Sequence, residues 1–226
     1  MRRLLLLSML MTELLGAHAQ EEPEYKLEAG GGLGMVSYEG DFNSNILKNM
    51  EPMFSLVAKY RYNPRSAMGV NLSYGKLKGA WTNTKTWYPE MRESMAFDNQ
   101  LMEVTLRYEY NFWAYGTGRE YRGARPVAPF IGLGIGATYV KAAAGGVFAM
   151  NLPIGAGIKF KIGPRLNLTA EWAMRFTGSD KLDGVSDPYG IKSSGLFKNT
   201  DCYSDFRATL TYDMWAKCKT CNNDRF

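Results

Sequence analysis

Charged side chains recur at alternate positions inside otherwise apolar stretches of this chain: Glu28, Lys59, Arg61, Glu103, Arg107, Glu109, Lys159, Lys161, Glu171, Arg175, Arg207 and Asp213. Carboxylates in such a set can do general acid–base work, or they can neutralise buried cations. Glu103 and Glu109 flank Arg107, and Glu171 precedes Arg175. With arginines so near, ion pairing is the expected outcome, and no catalytic residue is assigned. Histidine is missing where catalysis would need it: the one histidine is His18, in the N-terminal leader. That leaves no usual general base for a nucleophilic triad and removes the commonest transition-metal ligand. The glycine run at 132–136 (GLGIG) lacks the spacing of a phosphate loop. It is expected to make room in a crowded interior. Cys218 and Cys221 form a C-x-x-C, with Cys202 upstream. No thioredoxin-like context and no further zinc ligands accompany them. A local bridge and an intermolecular disulfide both stay open. No cofactor, metal or small-molecule site is expected.

The elements that carry the charges alternate with period two, so they are strands and not amphipathic helices. The clearest runs over Met102, Val104, Leu106, Tyr108, Tyr110 and Phe112, opposite Glu103, Thr105, Arg107, Glu109 and Asn111. Similar stretches begin near Tyr25, Phe54, Met68, Ile131, Ile154, Leu166 and Phe206, which makes eight in all. On the first, Tyr25, Leu27, Ala29, Gly31 and Leu33 share the apolar face. An even number of strands lets an up-and-down meander close on itself, leaving no open edge. The predicted fold is all-β, an eight-stranded antiparallel transmembrane β-barrel.

Alternation alone does not say which face looks outward. A soluble barrel of lipocalin type has the same period with the apolar face inside. Three features favour the membrane. The apolar faces carry no charge, and aromatics gather toward their ends. The opposite face is rich in glycine and small polar residues. The connections alternate in length: short near 63–66 and 163–164, long over 36–52, 78–99 and 178–200. An eight-stranded barrel is just wide enough to be filled by its own side chains. Glu28, Lys59, Arg61, Glu103, Arg107, Glu109, Lys159, Glu171, Arg175, Arg207 and Asp213 are therefore expected to form an ionic plug and not an open channel.

The N-terminus carries Arg2 and Arg3, then an apolar run from Leu4 to Leu15 and a small-x-small site at Ala17-His18-Ala19. This is the pattern of an export signal. The predicted division is a signal peptide over 1–19, a barrel over 20–216 and a basic cysteine-containing tail over 217–226. The formal net charge of +5 is mild. No basic stripe interleaved with aromatics points to nucleic acid. From a periplasmic N-terminus, the long loops face outside, and the connection 114–126 and the tail face the periplasm. That connection carries Arg119, Arg122 and Arg125, and the tail carries Lys217, Cys218, Lys219 and Cys221. Both are candidates for contact with a partner. The competing reading is a solvated linker and a frayed end.

Several stretches together resemble a known family. They are SYEGDFN (37–43), RYNPRSAMGVNLSYGKLKG (61–79), PFIGLGIGATYV (129–140), IGAGIKFKIGPRLNLTAEWAMRFTGSDKLDGVS (154–186) and CKTCNN (218–223). The chain is similar in them to the PorG-like outer-membrane barrels of the type IX secretion system. The resemblance implies a structural part in that machine, which exports proteins and supports gliding in some bacteria. It implies residence in outer-membrane lipid and association with a periplasmic ring of the lipoprotein PorK and its partner PorN. It carries over no catalytic residues. The alternative is a self-contained surface barrel for adhesion or envelope integrity. Trp81, Trp87, Tyr88 and Met91 of the second long loop are the feature that would serve it.

Overall fold

In a computed structural model, the described residues are 25–39, 49–80, 96–117, 124–142, 145–179, 182 and 201–216. They form strands β1 (Tyr25–Glu39), β2 (Glu51–Asn63), β3 (Ser66–Ala80), β4 (Ala96–Asn111), β5 (Val127–Ala142), β6 (Gly145–Lys161), β7 (Leu166–Thr177) and β8 (Cys202–Ala216). Each strand pairs with the next, and β1 closes on β8, giving one closed barrel in sequence order. Every pairing is antiparallel, with β1 and β8 in register from Tyr25↔Ala216 to Glu39↔Cys202. Closure satisfies the backbone groups that an open sheet would leave at its edges. The expected architecture is therefore the observed one. The leader (1–19) and the tail (217–226) lie outside the described residues.

Turn chemistry explains the end with short connections. Between β2 and β3, the Asn63 side chain accepts a hydrogen bond from the Arg65 backbone N–H at 2.8 Å. This is the local bond by which asparagine starts a tight turn, with Pro64 fixing its own φ. Between β7's start and β6's end, Gly163 and Ile162 donate to the Leu166 carbonyl.

Burial decides the question that alternation left open. Leu33, Phe148 and Met150 are 65–67% exposed on the outside of the wall, while Arg107, Arg175 and Arg207 are at most 1% exposed within it. Apolar side chains cover the outside of all eight strands, far beyond the patch a soluble monomer exposes. A barrel of the lipocalin type would show the reverse.

Two local departures from alternation matter. Tyr25 was expected outward with Leu27 but is buried, with Lys161 and Arg165 about its ring at 5.6 and 5.3 Å. It sits at the strand's first residue, where the wall ends and the ring can fold beneath the barrel. Trp215 has φ +57°, the left-handed region. Its odd number would point it inward below Asp213, yet its ring is two-thirds exposed. The left-handed residue costs about 1–2 kcal/mol and turns the indole out, where aromatic girdles sit.

Glycines set the tightness of the wall. A Cβ on Gly30 would fall on the Leu210 carbonyl and 2.6 Å from Thr211 Cα. The β1–β8 seam closes only because no side chain stands there. On β5, a Cβ at Gly134 would meet the Leu106 carbonyl and lie 2.7 Å from Arg107 Cγ, while Gly132 faces the same arginine's guanidinium. Those glycines of the GLGIG run make the space that Arg107 occupies.

Candidate functional site

The barrel interior stacks four layers, each built by inward positions of several strands. Near the short-turn end lies a floor. Arg61 reaches Glu28 at 2.6 Å and Asp213 at 2.9 Å. Lys161 also bonds Asp213, and the Asn167 amide donates to it at 2.9 Å. Thr211 donates to the other oxygen of Glu28. Tyr115 enters from the 112–126 connection. Its hydroxyl donates to Asn167 at 2.8 Å, and the Arg61 guanidinium lies 5.4 Å from its ring centre. Burial pushes the Tyr115 phenol well above its usual range; Arg61 opposes that shift, and Glu28 and Asp213 add to it. It therefore stays a neutral donor.

This connection is anchored on its described parts. Tyr115 N–H donates to the Pro64 carbonyl at 3.0 Å, and Arg125 N–H to that of Ala114 at 2.7 Å. The long turn thus closes the barrel from below, which answers why it exceeds the other two. Arg125 itself is exposed and stacks on Trp113, 4.9 Å from the ring centre. Arg119, Arg122, Lys217, Cys218, Lys219 and Cys221 lie outside the described residues.

In the second layer, Glu109 bridges two lysines, Lys59 at 2.9 Å and Lys159 at 2.7 Å. The Phe130 ring faces both ammonium groups, 4.8 Å from Lys159 and 6.0 Å from Lys59. Beside them Arg107 pairs with Glu171. In the third layer Arg175 bonds Glu103 at 2.6 Å and also Asp205, while Arg207 reaches Asp205 at 2.8 Å. Tyr203 donates to Glu103 and exchanges a 2.8 Å hydrogen bond with Thr138.

The fourth layer closes the long-loop end and is apolar. Val36, Tyr38, Met53, Leu77, Leu101, Val140, Ala149, Leu182 and Tyr203 pack together, with Phe97 edge-on to Tyr38 at 4.9 Å. Leu182 belongs to the last long loop. Its N–H donates to Asp201 at 2.8 Å, and its carbonyl accepts from the Asn99 amide at 2.8 Å. The Tyr38 hydroxyl also donates to Asp201.

All the residues named for the ionic plug are therefore inside, each buried and each paired with an opposite charge. Sequence reasoning missed Asp205, which joins Arg175 to Arg207. Its signal was present: it precedes Arg207 by two on the inward parity, and β8 begins at Cys202, not at Phe206. The apolar lid was missed for the same reason. Val36, Tyr38, Leu77 and Leu101 continue the inward parity of their strands beyond the ends assigned from sequence.

Such an interior binds itself. Carboxylates that would serve as acid or base are each held by a cation, and no grouping of metal-ligating side chains occurs among the described residues. Purified barrel in a planar bilayer is expected to show no stable conductance steps, because ions would have to cross four packed layers. Large reproducible steps would show an open lumen.

A closed eight-stranded barrel, charged within and apolar without, defines the class: the outer-membrane type of β-barrel. The chain belongs to the family described as a domain of unknown function, DUF6089, whose model matches residues 2–223. No curated protein matches it. Among solved structures, it is similar to Neisserial surface protein A at 13% identity and TM-score 0.54, over 83% of this chain and 97% of that one. It is also similar to Ail, the attachment invasion locus protein of Yersinia pestis, in complex with a heparin analogue (13%, TM-score 0.46, 84% and 99%). A third is the outer membrane enzyme PagL (12%, TM-score 0.40, 83% and 99%).

Proposed function

We propose that this protein is a non-enzymatic barrel of the outer membrane, reached after cleavage of an N-terminal signal peptide. In this reading it is a structural component of the type IX secretion machinery that touches its periplasmic ring. The carrying observation is the charge of the short-turn end. Lys26, Arg65, Arg125 and Arg165 all lie there. Among the described residues of that end, no carboxylate stands outside the barrel floor. Exposed Trp113 and Trp215 flank this basic face. A cationic, aromatic face of this kind suits an acidic partner surface, with charge setting register and encounter rate. Arg119, Arg122, Lys217, Cys218, Lys219 and Cys221 extend the same patch in sequence. The resemblance to PorG-like barrels supplies the partner's identity, PorK with PorN. The fold by itself leaves catalysis undecided, since PagL has it. The absence of histidine beyond the leader and the engaged carboxylates support a structural role.

The protein is expected to fractionate with the outer membrane, to resist carbonate extraction and to run faster unheated than heated. After mild cross-linking it should co-purify PorK and PorN, with recovery falling several-fold when Arg125 and its neighbours Arg119 and Arg122 become glutamate. Recovery in the soluble periplasm would overturn the location. Outer-membrane recovery without the ring proteins would leave the self-contained surface barrel as the function.

A further inference from the structure

The outside of the wall carries a second charge pattern, at the end opposite the basic face. On three neighbouring strands the outward apolar run stops at a first polar residue. For β3, β4 and β5 these are Lys76, Gln100 and Lys141, and all three are exposed. They are direct cross-strand partners, Lys76↔Gln100 and Gln100↔Lys141. The row beneath is Tyr74, Met102 and Tyr139, paired in the same way and roughly half exposed. Elsewhere the outward edge at this end carries no cation among the described residues: β6 offers Gly146, β7 Phe176, and β8 Ser204 and Cys202. Among the described residues of this end, the outward lysines are confined to one side of the barrel.

The neighbours of Lys76 and Lys141 are a phenol and two carboxylates. The Tyr139 ring lies across β6 onto Gly146, where an added Cβ would be 2.8 Å from Cε2 and Cζ and would meet the hydroxyl. Gly146 is the cross-strand partner of Lys141, so the Tyr139 ring lies over the β6 position paired with Lys141. Of the neighbouring carboxylates, Asp98 stands two residues beyond Gln100 on β4, and Glu51 lies on the far side of β3, on β2. Asp98 is 3.7 Å from Lys76 and 3.5 Å from Lys78, and Glu51 takes Lys78 at 2.7 Å. Among the described residues, Lys141 has no carboxylate within ion-pair distance.

We infer that this row is a site for a phosphorylated glycolipid of the outer leaflet, its acyl chains on Tyr74, Met102 and Tyr139 and its phosphates on Lys76 and Lys141. Two strand spacings separate the lysine backbones by about 10 Å, which favours a headgroup bearing two phosphates over a single phosphodiester. Lysine holds phosphate as a point charge on a flexible stem, and that stem can lie along apolar surface while the ammonium reaches the headgroup. Gln100 supplies amide hydrogens between them, and Tyr139 a hydroxyl. The inference rests on the outer-membrane reading for its natural ligand. Binding itself is measured on purified protein, so fractionation and binding fail independently.

The test is native mass spectrometry of the folded, detergent-solubilised full mature chain, titrated with a bisphosphorylated acylated glucosamine disaccharide. The same lipid without phosphates and phosphatidylglycerol serve as comparators. The wild type should retain the bisphosphorylated lipid at least tenfold better than either. K76Q/K141Q should lose that preference, and K76R/K141R should keep it. Heat-modifiable mobility reports that each variant is folded. Equal retention of the dephosphorylated lipid, or of phosphatidylglycerol, by the wild type would overturn the site without any variant. So would unchanged preference in folded K76Q/K141Q. Displacement of the lipid by millimolar inorganic phosphate alone would show a site for free anion and overturn the lipid assignment.

Discussion

Gly134→Ala and Gly30→Ala are each expected to abolish the compact, heat-modifiable form of the barrel, while Gly31→Ala leaves it intact. The three substitutions add the same methyl group. At Gly134 and Gly30 it must enter space held by the backbone carbonyls of Leu106 and Leu210, which no rotamer change can clear. At Gly31, on the outer face, the methyl would lie 3.4 Å from the Ser55 carbonyl and 3.6 Å from Leu56 Cδ2, ordinary contact distances. Overpacking usually costs about 1–3 kcal/mol where side chains can yield, and more where they cannot. In a closed barrel the strands cannot simply part, since β1 is held on both sides. Refolding yield on unheated gels is the measurement. A folded Gly134→Ala barrel would mean that β4 and β5 cross less closely than described.

Glu109→Gln is expected to lower folding stability in lipid vesicles by about 3–5 kcal/mol, the usual result of stranding a buried charge. Here one carboxylate neutralises two lysines, and the neutral amide would leave both over the Phe130 ring without the carboxylate that bonds them directly. The combined E109Q/K159M variant should recover part of the loss, because it removes one stranded cation and keeps most of its volume. Urea midpoints at constant lipid composition give the comparison. An unchanged midpoint for Glu109→Gln would show that water already reaches the lysines, and the conductance expectation would fall with it.

Much of this architecture follows from the chain alone. Period-two alternation over eight stretches, with charges on one parity, determined the strand number, the meander and the grouping of Glu28, Lys59, Arg61, Glu103, Arg107, Glu109, Lys159, Glu171, Arg175, Arg207 and Asp213. Those features are local, since each depends on the spacing of residues within one strand. Partner choice is not local. That Arg61 bridges Glu28 to Asp213, or that Glu109 takes Lys59 and Lys159, depends on the stagger of strands far apart in sequence. Composition carries no trace of that stagger. The tertiary structure also decided which face is outside, because an alternating strand is unchanged when the barrel is turned inside out. It alone brought Asp205 between two arginines, set Tyr115 in the floor, tucked Leu182 beneath the lid and turned Trp215 out through a left-handed residue. Tyr115, Leu182 and Trp215 lie at or beyond a strand end, where alternation stops being informative. There the position of a side chain is decided by what closes over it, and not by its neighbours in sequence.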